Sequence, residues 1–136
     1  MSLSEKDLLA MPADDYMNDV QISFFKQRLL DKQRVLQERL NGHQKVMVGE
    51  RAPDAADMAS GEESRSLAMS FVSRDTAELK RVSLALAAIT EDEYGYCQET
   101  GVEIGIPRLL AVPESLYSVE AMSVIEAQRQ HLRGVA

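Results

Sequence analysis

"QISFFKQRLLDKQRVLQERLNGH", Gln21 to His43, and "RSLAMSFVSRDTAELKRVSLALAAI", Arg65 to Ile89, carry the spacing that decides the fold. In the first stretch Ile22, Leu29, Leu36 and His43 share one repeat position, and Lys26, Gln33, Leu40 and Met47 share the other. In the second, Arg65, Ala68, Val72, Asp75, Leu79, Val82, Leu86 and Ile89 alternate three and four. That spacing belongs to helices that bury one narrow seam against another helix. Folding the two back on each other, with the bend near Pro53 and Asp54, sets Ile22 against Leu86, Leu29 against Leu79 and Leu36 against Val72. The same register sets Leu40 against Ala68, Gln33 against Asp75 and His43 against Arg65. Apolar layers meet apolar ones and polar layers meet polar ones, which an arbitrary register does not achieve. The spacing predicts an antiparallel two-helix coiled coil over 16–93, about 50 Å long at 1.5 Å per residue. Two sides of an ordinary helical bundle would show the same periodicity.

Outward from this core, the first long helix is expected from Tyr16 to Gly49, with Gly49 and Pro53 as stops. The second is expected from Ser60 to Glu93, where Ser60-Gly-Glu-Glu63 reads as a capping box. Residues 1–15 form an N-terminal segment of a small globular domain. They hold a short helix over Leu3–Met11, capped by Ser4 with Asp7 three residues on and ended by Pro12. Residues 94–136 change texture. Tyr94-Gly-Tyr-Cys97 and Val102, Ile104 and Ile106 alternate with period two around "QETG", which predicts a small β-hairpin with Gly101 in the turn. Pro107 and Pro113 bracket a loop. A last helix from Ser118 to Arg133 carries Val119, Met122, Ile125 and Leu132 on one side and stops at Gly134. The expected class is mainly α: a long coiled coil on a small globular domain with a hairpin and a C-terminal helix.

The 136 residues carry a net charge of −7 and no tryptophan. Nonspecific binding to nucleic acid or to an anionic membrane is therefore disfavoured, and a basic protein partner or channel is the natural counterpart. The acidic N-terminus is no signal peptide, and no apolar run reaches a membrane span. A single cysteine rules out an internal disulfide framework and fits the reducing cytoplasm. No Gly-rich phosphate loop, H-E-x-x-H or nucleophile elbow is present, so the chain is not expected to be an enzyme.

"YGYCQETGVEIGIPRLLAVPESLYSVEA", Tyr94 to Ala121, has the outline of a zinc ribbon. Cys97 stands at the first ligand place, but Thr100, Ser118 and Ala121 stand at the other three. Tetrahedral zinc needs four good donors, so no metal is expected here, and burial replaces coordination. His43 and His131 lie far off on helices, His43 in the seam and His131 on a solvated helix end. At the bend, "APDAADMAS" over 52–60 presents Asp54 and Asp57 with Ala59 beside them. These serve as ordinary turn and helix-start residues, or they form a tip that carries two carboxylates into a narrow basic or metal-containing site on a partner.

"DAADMA", Asp54 to Ala59, resembles the D-x-x-D-x-A tip motif of the DksA/TraR family. "DYMND" from Asp15 and "YGYC…GVEIGIPRL…P" from Tyr94 resemble that family's first long helix and its zinc-finger segment. The missing cysteines resemble the family's zinc-independent paralogue. The resemblance implies a factor that enters the secondary channel of bacterial RNA polymerase and works with guanosine tetraphosphate (ppGpp). It represses ribosomal RNA promoters and assists some biosynthetic ones, binding no specific DNA sequence itself. It further implies that Asp54, Asp57 and Ala59 act near the polymerase active site, and that Arg74 and Arg81 are alarmone or polymerase contacts. Val112 and Met122 stand where the family has basic residues near the alarmone, which implies a weaker alarmone response. A Gre-type transcript-cleavage factor and a dimerising coiled-coil adaptor are the alternatives; the self-consistent register argues for a monomer.

Overall fold

The structure, a computed structural model, describes the backbone of residues 3–48 and 55–135, with the side chains of 46–48, 55–60 and 133–135 outside the description. Among the described residues five α-helices follow in order: α1 Glu5–Ala10, α2 Asp19–Val48, α3 Ala55–Thr90, α4 Ile106–Ala111 and α5 Val119–Val135. A single 3-10 turn, Ala13–Asp15, separates α1 from α2. The chain divides into two compact units, one of Leu30–Ser83 and one of Met1–Leu29 with Leu84–Ala136.

The Leu30–Ser83 unit is a pair of packed helices. Side-chain contacts run in opposite senses along the two: Lys32 meets Glu78, Arg39 meets Asp75, and His43 meets Phe71. The pair is therefore antiparallel, as the seams predict. Leu36, Ala68 and Val82 are buried on the expected positions, with Leu40, Val72 and Leu79 half-buried. Burying such side chains is worth roughly 1.5–3 kcal/mol for each large one, against less than about 1 for an exposed ion pair. The apolar seam holds the helices together, and among the charged contacts the Arg39–Asp75 pair, whose carboxylate is buried, is the one whose breaking would be costly.

The polar layers differ from the expected pairing. Asp75 is met by Arg39 rather than Gln33, and His43 stacks on Phe71 rather than facing Arg65, which is exposed. A long guanidinium stem crosses more than one turn and brings a full charge to the buried carboxylate, which a glutamine does not. Likewise, α3 already begins at Ala55, so Ser60 lies inside the helix and does not cap it.

In the other unit α1 starts as expected. The Ser4 hydroxyl accepts the Asp7 N–H and the Asp7 carboxylate accepts the Ser4 N–H, both at 3.1 Å. The Ser4 backbone N–H foremost, with the Ser4 hydroxyl beside it, holds the Asp7 carboxyl below the usual carboxylate range. The first long helix begins at Asp19, three residues later than predicted. Met17 sits in the left-handed region at φ 55°, and the Asn18 side chain accepts the Gln21 N–H at 2.9 Å. At this end the seam runs through Gln21 and Phe25, both buried, and Lys26 is exposed. Phe25 packs against Tyr94 with ring centroids 5.9 Å apart.

The end of α3 is a Schellman closure: Glu93 N–H donates to Ala88 O and Asp92 N–H to Ile89 O, with Asp92 at φ 59°. Beyond it, no β-hairpin of two strands forms among the described residues. One antiparallel bridge joins Tyr96 and Glu103, flanked by Cys97 N–H to Val102 O and Ile104 N–H to Gly95 O. Gly95 and Gly105, at φ 94° and 101°, turn the chain out of extended geometry at both ends of this short ladder. Val102 is consequently 53% exposed while Ile104 is buried, and Ile106 opens α4. That helix replaces the loop expected between the prolines. Pro107 lies in its first turn, where the missing N–H costs no hydrogen bond. The last helix is capped by Ser118, whose hydroxyl accepts the Ala121 N–H at 3.2 Å, and it runs through Gly134.

Candidate functional site

Of the three residues expected at the bend, Asp54 lies outside the described residues. Asp57 and Ala59 fall in the opening turns of α3, with their side chains outside the description. Farther along α3, Arg74 and Arg81 are both exposed, seven residues apart and so on one face of the helix. The Arg74 guanidinium lies 4.9 Å from the centre of the Phe71 ring, on which His43 stacks at 5.1 Å with planes 8° apart. Neither arginine forms an ion pair with another described residue, whereas Lys32, Arg34 and Arg39 are each paired. The unit thus presents two guanidinium groups without an ion-pair partner among the described residues, one of them resting on Phe71, and both suit an anionic ligand or an acidic partner surface.

The knuckle sets the Cys97–Thr100 turn against the start of α5, where Ser118 and Ala121 lie. Cys97 is 2% exposed, and Ser118 and Ala121 are also buried, while Thr100 stands exposed at the turn. Gly101 N–H donates to Cys97 O at 2.7 Å, and Gln98 N–H donates to Leu116 O at 2.8 Å, tying the turn to the segment before α5. Burial pushes the Cys97 thiol up. Hydrogen bonds from the Thr100 hydroxyl and from the N–H groups of Ser118, Thr100 and Glu99 outweigh it and lower the thiol to about 6. These donors favour the thiolate over the thiol. Zinc does not fit this donor set. The Ser118 hydroxyl is committed to α5, Ala121 offers no ligand atom, and the Thr100 hydroxyl is turned to the sulfur as a donor. Among the described residues no three His, Cys, Asp or Glu side chains cluster as a metal site.

Two tyrosines that sequence reasoning overlooked fasten this region. The Tyr16 hydroxyl donates to Gly95 O at 2.5 Å and accepts the Gly105 N–H at 2.9 Å, joining both arms of the turn. Desolvation chiefly holds its ionisation above the ordinary tyrosine range. The buried Tyr94 hydroxyl donates to Pro113 O at 2.7 Å, and desolvation raises it further. Nothing in the local sequence reveals these partners, which lie 79 and 89 residues from Tyr16 and 19 from Tyr94. Among the described residues no helix is long and apolar enough to cross a membrane.

The described chain is thus a mainly helical protein, with an antiparallel pair of long helices in one unit and a compact knuckle around a buried cysteine in the other. No family model matches it. Full-length relatives do: it is 39% identical to the RNA polymerase-binding transcription factor DksA of Caulobacter vibrioides, covering 81% of this chain and 80% of that protein. It is 30% identical to the DksA of Escherichia coli K12, covering 90% and 83%. The solved structure of transcription factor DksA2 from Pseudomonas aeruginosa superposes with a TM-score of 0.81 at 36% identity, over 94% of this chain and all of that one. The chain belongs to the DksA family.

Proposed function

We propose that this protein binds bacterial RNA polymerase and regulates transcription initiation through the enzyme's secondary channel, without needing zinc. Membership of a family whose members are named for polymerase binding, at 30–39% identity over four fifths or more of both chains, carries this reading. In it, Asp54, Asp57 and Ala59 act near the polymerase active site. Arg74 and Arg81 meet the alarmone ppGpp or the channel wall, and both are exposed and without an ion-pair partner among the described residues. The protein acts as a monomer in the cytoplasm, has no catalytic activity of its own, and recognises no DNA sequence. Its effect is repression at ribosomal RNA promoters and assistance at some biosynthetic ones. Val112, which closes α4, and Met122 bring no positive charge, so the alarmone response is weaker than in a relative with basic residues there.

The test is transcription from a ribosomal RNA promoter by purified polymerase in excess zinc chelator. The protein is compared with Asp57→Asn after both are shown to bind polymerase equally. Repression by the parent alone is expected. If both bind and neither represses, the reading is wrong, and stimulated cleavage of backtracked RNA would then favour a Gre-type factor.

A further inference from the structure

A cleft of about 260 Å³ opens between α1 and α4, with Leu8, Met11, Pro12, Ile106 and Pro107 among its walls and Leu9, 55% exposed, at its lip. It is smaller than the roughly 300–1,000 Å³ of sites for drug-sized ligands, and suits one apolar side chain with its peptide unit. Gln21 also lines it and is only 1% exposed. The Gln21 carbonyl accepts the Met17 N–H at 2.8 Å, and its amide nitrogen donates to the Met11 sulfur at 3.1 Å. A primary amide carries two N–H donors, and a thioether is a weak acceptor. One buried donor is thus weakly met, and the other meets no described residue. A carbonyl oxygen entering the cleft would satisfy it.

The surroundings specify the charge of the entrant. Glu103 lines the cleft, and Asp14 and Asp15 directly follow Ala13, another lining residue; none of the three is ion-paired with a described residue. The unit that holds the cleft carries six Lys and Arg against thirteen Asp and Glu, the whole net charge of the chain, while the helix-pair unit is balanced at nine of each. We propose that this cleft is an anchor site for one apolar side chain of a basic polypeptide segment in a partner protein. The segment's carbonyl takes the Gln21 N–H, and its lysines or arginines meet Glu103, Asp14 and Asp15. The site does not rest on the polymerase reading, and its test uses no polymerase.

The experiment follows the full, isotope-labelled chain by NMR while adding an end-capped peptide with one leucine between two pairs of lysines. Saturable shifts at the Gln21 side-chain amide and the Gly105 N–H are expected. A peptide with alanine in place of leucine should bind at least about tenfold more weakly, and one with glutamates in place of lysines should not bind. Ala13→Phe, at an exposed position in the 3-10 turn, should fill the mouth and abolish the shifts; Glu103→Gln should weaken binding even if that variant misfolds. Absent shifts, or equal binding of the leucine and alanine peptides, would overturn the proposal. So would shifts spread over the acidic surface that vanish with salt, or shifts that appear with protein concentration alone, which would mean that a second copy fills the cleft.

Discussion

Arg39 on α2 holds the fully buried carboxylate of Asp75 on α3 through two hydrogen bonds, Nη2 at 2.5 Å and Nε at 3.1 Å. The Arg39 side chain is itself 48% exposed, so its removal costs little in packing, but it strands a carboxylate that has no access to water. Arg39→Ala should therefore destabilise the protein by about 2–3 kcal/mol. The double variant Arg39→Met with Asp75→Leu should recover most of that loss, because a buried pair replaced by apolar groups is often neutral. Urea unfolding of the two variants checks both statements. Equal destabilisation of the single and double variants would show that the aspartate is not the cause.

Cys97 makes stability depend on pH in a known direction. Its folded thiol is held at about 6, against an ordinary 9.0, so the bonded thiolate stabilises the fold fully above about pH 9. That contribution shrinks as pH falls and is gone below about 6. Comparing urea midpoints of the parent and Cys97→Ala from pH 6 to 9 should show a gap that widens with pH. A constant gap would mean that the hydrogen bonds do not favour the thiolate.

Gly95 has no room for a side chain. A Cβ there would lie 2.5 Å from Met17 Cγ and 2.8 Å from its sulfur, and the backbone sits at φ 94°. Gly95→Ala should cost about 2 kcal/mol or more. Adding Met17→Ala removes the clash but leaves the conformational penalty and opens a cavity, so it should not restore the parent's stability. Thermal melting of the three proteins separates the terms.

Chelation should leave the fold untouched. Zinc-thiolate domains unfold when the metal is withdrawn, but here the knuckle is closed by Tyr16, Tyr94 and backbone hydrogen bonds. Melting temperature and helicity should be the same in strong chelator and in added zinc. A drop in chelator would mean that a metal takes part after all.

Legibility in the sequence followed how local each cause is. The seam at Leu29, Leu36, Ala68 and Val82 was readable because a heptad spacing alone implies it, and the Ser4 cap because its partner is three residues away. Near its start α2 departs from the strict repeat: 3.6 residues per turn drift against 3.5, and Phe25 is drawn to Tyr94 outside the helix pair. The fourth helix was missed because a proline reads as a breaker, although in a first turn it is a helix starter. Asp75 was placed in the seam, but a partner on a long flexible side chain is not fixed by spacing. Of the candidate site, the knuckle's lack of donors was plain from Cys97, Thr100, Ser118 and Ala121. The thiolate cradle was not, since it is built from backbone N–H groups that every residue has.

The Ser118 cap sets a barrier to turning this knuckle into a metal site. Building one here would require several substitutions, and the first ones would be costly alone. Ser118→Cys removes the hydroxyl that starts α5, a loss of about 1 kcal/mol, and places a second thiol beside a thiolate whose donors are already arranged for one charge. No ion offsets that until the third and fourth ligands arrive. A stepwise route from this donor set to a four-ligand zinc site therefore passes through variants less stable than the parent.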